Sequence, residues 1–139
     1  MRKIYLFTLL FLNCSRINSY VPEISLEEIG PNTVIEFSDS LYMRISFYDA
    51  DGDLGENYTN DKNLYVVDER LGFAHEFRIS QIVPGSAEVP IQGELEWILP
   101  SMYRTNTNSS QQVVYTIYVI DRAGNQSNTI ATPPVTIIE

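Results

Sequence analysis

The feature that most constrains this chain is the stretch 41–48, in which every second side chain is apolar. Leu41, Met43, Ile45 and Phe47 fall on one face of an extended backbone, and Tyr42, Arg44, Ser46 and Tyr48 on the other. Side chains of a strand alternate between two faces, whereas a helix repeats every 3.6 residues. The stretch therefore predicts a strand with one buried face. Further runs at 33–37, 63–68, 73–82, 93–99, 113–121 and 128–138 follow the same habit, separated by Gly, Asp, Asn and Pro. Residues 23–29 read equally well as a first strand or as a turn of helix. No window sustains an apolar stripe at helical spacing.

Seven to eight such strands in one domain, 23–139, predict an all-β fold: an Ig-like sandwich of antiparallel strands. A small closed barrel is the competing arrangement. Trp97, with Leu95 and Leu99, is expected inside, as are Tyr115, Ile117 and Val119. Residues 100–112 read as a polar loop. With 139 residues the chain is long enough for one self-sufficient core. A single Cys excludes an internal disulfide framework. Eighteen acidic against nine basic residues, net −9, exclude nucleic acid as a partner.

The N-terminus reads as an address. Met1-Arg2-Lys3 precedes a nine-residue apolar run, 4–12. A membrane span needs about 20 such residues, so the run predicts a signal peptide over 1–13. Phe11-Leu12-Asn13-Cys14-Ser15 resembles the lipobox of bacterial lipoproteins. The resemblance implies lipidation of Cys14, a tether over 14–22, attachment to the membrane through the N-terminal lipid, and an outer-membrane address. Cleavage a few residues later would instead release a secreted or periplasmic protein. Losing Arg2 and Lys3 leaves the remainder more acidic still, so it should stand off anionic headgroups.

The segment from Tyr115 to Ser127, YTIYVIDRAGNQS, resembles the sixth strand and following turn of bacterial Ig-like and fibronectin-III-like domains. Together with the lipobox it makes the chain similar to small Ig-like lipoproteins of Gram-negative bacteria. That likeness implies a non-catalytic surface module that binds or braces other envelope proteins.

Asp49-Ala50-Asp51-Gly52-Asp53 is the sharpest chemical signal. Three carboxylates at alternate positions can surround one hard cation, and the pattern resembles calcium-binding D-x-D-x-D-G loops. The strand-like flanks exclude an EF-hand. In an Ig-like fold the loop after residue 48 and the turn at 121–127 share one end, which would bring Asp121 toward Asp49, Asp51 and Asp53 as a further ligand to Ca²⁺. The same residues also suit a solvated acidic turn. Catalysis finds no candidate: His75 is the only histidine, and Glu94 and Glu96 fall on a wet strand face. The outward Tyr42, Tyr48 and Tyr118 could stack on sugars, which gives the alternative of a carbohydrate-binding accessory in glycan capture; such residues are also ordinary strand formers.

Overall fold

In the computed structural model, which describes residues 20–84 and 87–139, the 41–48 stretch forms the middle of a sheet. The strands are β1 Glu23–Gly30, β2 Thr33–Ile35, β3 Leu41–Asp49, β4 Leu64–Asp68 and β5 Phe73–Phe77. They continue with β6 Ile91–Leu99, β7 Ser110–Val113, β8 Tyr115–Val119, β9 Ile130–Ala131 and β10 Val135–Ile138. No helix occurs among the described residues. The all-β expectation therefore holds.

Three sheets build the sandwich: β1-β3-β6, β5-β4-β8-β9 and β2-β10-β7. The β3–β6 pair runs without a break from Leu41 opposite Leu99 to Asp49 opposite Ile91. All eight residues expected inside from β3, Trp97 and β8 are buried, in one core with Val34, Leu64, Val66, Val113, Val135 and Ile137. Trp97 meets Phe77 across that core, with ring centroids 6.1 Å apart. The pairs are antiparallel with one exception, β2 and β10, which run parallel.

Eight expected strands become ten because the last two runs each cross from one sheet to another. Val113 and Tyr115 both point inward, but Val113 pairs with β10 and Tyr115 with β4. Strands that change sheets make the corners of a sandwich. The matching crossing lies between β9 and β10 at Pro133 and Pro134, which have no amide hydrogen to give a ladder. Thr132 fastens the two crossings together. Its amide donates to the Tyr115 carbonyl at 2.9 Å, and its hydroxyl accepts from the Tyr115 amide at 3.0 Å.

Three further boundaries differ from expectation. The segment 23–29 is a strand with a β-bulge between Leu26 and Glu28, which returns Ile29 to the core side. The run 73–82 stops pairing at Phe77. Beyond it the Asn63 side chain replaces the ladder, accepting from Ile79 N at 2.5 Å and donating to its carbonyl at 3.2 Å. The polar stretch 100–112 contains the buried Met102 and contributes its last residues to β7.

Candidate metal centre

Asp49 owes its position to strand parity. It is the fifth inward residue of β3 after Leu41, Met43, Ile45 and Phe47, so the alternation that builds the core also carries a carboxylate into it. Asp49 is 0% exposed. The chain then folds back: Leu54, also fully buried, donates its amide to Asp49 Oδ2 at 2.8 Å. Gly52 and Gly55 allow the reversal with φ of 75° and 91°, values that side chains resist.

The loop gathers one carboxylate oxygen each from Asp49, Asp51 and Asp53 within 4.8 Å of one another. Oδ1 of all three is buried and has no hydrogen-bond partner. A buried polar atom without a partner costs free energy, and three anionic ones together cost more. Burial first, then the adjacent Asp51 carboxylate, push Asp49 up to about 6. Asp53 is also raised, by burial and by the charges of Asp121 and Asp51. These are the marks of a site short of positive charge. The three carboxylates can hold a metal ion. Oxygen-only donors suit a hard cation rather than zinc, which favours His and Cys.

The turn after β8 lies against this loop, as the shared-end argument required. Arg122 N donates to the Asp53 carbonyl at 3.3 Å, Ala123 N to Asp53 Oδ2 at 3.0 Å, and Arg122 Nη1 to the Gly55 carbonyl at 2.8 Å. Asp121 is close enough to raise Asp53 but stands outside the three-oxygen cluster. Its two oxygens accept instead from the Asn125 amide at 2.8 Å and from Asn125 Nδ2 at 2.9 Å. The donors on Asp53 escaped sequence reasoning, although the D-R-A-G-N turn that supplies them was legible as a turn.

The tyrosines do not converge. Tyr42 and Tyr48 lie on β3, with the Tyr42 hydroxyl donating to Glu96 at 2.9 Å. Tyr118 lies on β8, in another sheet, where its ring stacks on Tyr65 at 5.0 Å. His75 is half-buried between Phe73 and Tyr115, with centroids at 5.5 and 6.4 Å. Burial holds its imidazole below the usual range, as befits a packed residue. Residues 1–13 and Cys14 lie outside the described residues.

No protein-family model, curated protein or solved structure matches the chain.

Proposed function

We propose that this chain is a non-catalytic, lipid-anchored module of Ig-like type at the bacterial cell envelope, which binds or braces other envelope proteins and carries one calcium ion at its tether end. The observation that carries the calcium reading is the convergence of one carboxylate oxygen each from Asp49, Asp51 and Asp53, residues that each also hold a buried Oδ1 without a hydrogen-bond partner. One Ca²⁺ would supply the missing partner and remove the mutual repulsion.

Asn125 ties this end to the start of the domain. Its side chain donates to Asp121 and, at 3.4 Å, to the carbonyl of Tyr20. A calcium ion there would stiffen the domain where the tether joins it. The edge-on packing of His75 against Phe73 and Tyr115 agrees with a non-catalytic role, and the lipobox-like Cys14 supports the anchor.

Thermal unfolding tests the calcium reading. Ca²⁺ at about 5–10 mM should raise Tm by about 3–5 °C, the shift expected from roughly 1 kcal/mol at a weak extracellular-type site. Mg²⁺ should do less, because it needs a more regular oxygen cage. An equal rise in NaCl of matched ionic strength would reduce the effect to screening. Separately, replacing Cys14 with Ser should release the protein from membranes.

A further inference from the structure

The strands that end the sheets are not equally protected. Strand β1 carries a bulge, and β9 is two residues long and soon followed by Pro133 and Pro134. Bulges, shortness and prolines discourage a further strand from pairing. Strand β5, which ends the four-stranded sheet, has no Pro, no Lys and no bulge over Phe73–Phe77.

Parity fixes which backbone groups β5 turns outward. The Asn63 carbonyl accepts from Ile120 N, so residues 63, 65 and 67 bond to β8 and residues 64, 66 and 68 to β5. Their partners on β5 are Phe77, His75 and Phe73. The N–H and C=O of Ala74 and Glu76 therefore face away from β4. Past the ladder, the Asn63 side chain holds both the amide and the carbonyl of Ile79, which turns Arg78 outward as well. Among the described residues, no turn or side-chain bond takes up the backbone of Glu76 or Arg78.

The side chains of these two residues are opposite charges two positions apart, and both are exposed. Neither forms an ion pair among the described residues. Arg78 spends only Nε, on the Glu56 carbonyl at 2.9 Å. Between them Phe77 lines two hollows of the seam between β5 and β6: one of about 500 Å³ beside Phe73 and Pro100, the other of about 350 Å³ beside Ile82 and Trp97.

We infer that a second copy of this chain adds its β5 antiparallel to this edge, about a two-fold axis at Phe77, so that Glu76 of each copy faces Arg78 of the other. Both residues of each such pair turn their backbone outward, so each pair exchanges two backbone hydrogen bonds. Each pair also sets a carboxylate against a guanidinium, and opposite charges directly across two strands attract. The two Phe77 rings meet at the axis, where the two hollows adjoin. A register centred on His75 would set Glu76 against Ala74 and leave the charges unmatched. The edge asks for a strand that offers the same two charges in reverse order, and its own two-fold mate does so. This self-association is independent of the calcium centre.

Sedimentation equilibrium of the purified full chain in density-matched detergent, over a range of protein concentrations, tests the inference. A dimer should form and should weaken between about 20 mM and about 500 mM salt, because its ion pairs lie at the surface. Glu76→Arg and Arg78→Glu each make both pairs like-charged and should raise the dimer Kd about tenfold. Combining the two substitutions restores opposite charges across the axis and should return Kd to within about threefold of the native value. In the native protein, amide exchange at Glu76 and Arg78 should slow as concentration rises. A monomer at every concentration overturns the inference. So does a dimer indifferent to the single substitutions or not recovered by the pair, since it would use another face. Exchange at Glu76 and Arg78 that ignores concentration overturns it without any variant.

Discussion

Asp53 divides its carboxylate: Oδ2 accepts the Ala123 amide at 3.0 Å, while Oδ1 is buried without a hydrogen-bond partner in a residue that clusters with Asp49 and Asp51. One residue therefore joins the β8–β9 turn to the acidic centre. Among the described residues, Asp51 makes no such bond. The two carboxylates are alike as candidate ion ligands and different as parts of the fold.

That difference predicts a separation of effects. Asp51→Asn should abolish most of the calcium-induced rise in Tm while leaving stability in chelator unchanged or improved, because one of three mutually repelling charges is gone. Asp53→Ala should lose the calcium response and fare worse in chelator than Asp51→Asn, because it also loses the exposed hydrogen bond to the Ala123 amide, worth about 0.5–1.5 kcal/mol. Asp121→Asn should affect the calcium response less than Asp51→Asn does, since Asp121 spends both oxygens on Asn125. Melting curves of the three variants with and without Ca²⁺ check this. Equal loss in Asp51→Asn and Asp121→Asn would make Asp121 a ligand.

The pH dependence follows from Asp49. Its folded pKa of about 6 stands above the ordinary value of 3.8, so the folded state binds this proton more tightly than the unfolded state does. The resulting stability is fully present below the unfolded value and is lost as pH rises through about 6. His75 acts in the opposite sense, because a lowered folded pKa costs stability as pH falls. Comparison with Asp49→Asn isolates the carboxylate. In chelator, the native protein should gain on the variant as pH falls from about 7 to about 5. With saturating Ca²⁺ the trend should reverse, because protons compete with the ion. A flat difference in chelator would contradict the burial of Asp49.

Much of this was legible in the residues themselves. Strand β3 could be read outright because one face is wholly buried, and period two is strict wherever that holds. The same parity, carried one step past Phe47, places Asp49 in the core. Strand β1 was ambiguous because the bulge between Leu26 and Glu28 breaks the period between Leu26 and Ile29. The crossing at Val114 left no local trace: alternation continues through it, and only pairing partners show that Val113 and Tyr115 belong to different sheets. Asn63 standing in for a strand at Ile79, and Asn125 rather than the acidic cluster claiming Asp121, are long-range or side-chain choices that no periodicity encodes.

Trp97 offers a test of the core. It is 8% exposed, packs on Phe77, and its buried Nε1 has no acceptor. Trp97→Ala should cost about 3–5 kcal/mol, the range for removing a large aromatic from a packed interior. Trp97→Phe should cost distinctly less, because it keeps a ring against Phe77 and removes an unsatisfied donor. Urea unfolding of both variants decides it; equal costs would mean that the indole nitrogen has a partner in solution.

The last prediction concerns the corner where the chain changes sheets. Tyr115 and Thr132 are both buried, and no ladder can satisfy the Tyr115 amide there, because β7 and β8 diverge at that point. The Thr132 hydroxyl accepts it at 3.0 Å. Thr132→Val keeps the shape and the β-branched backbone preference but deletes the acceptor. It should destabilise the protein by about 1–3 kcal/mol, the cost of one stranded buried amide. Thr132→Ser, which keeps the hydroxyl and loses a methyl, should cost about 1 kcal/mol or less. Because the corner lies far along β8 from Asp121, neither variant should alter the calcium response. Amide exchange at Tyr115 gives the direct reading: it should accelerate in Thr132→Val relative to its β8 neighbours, and uniform acceleration along β8 would show that the hydroxyl is not what holds the corner.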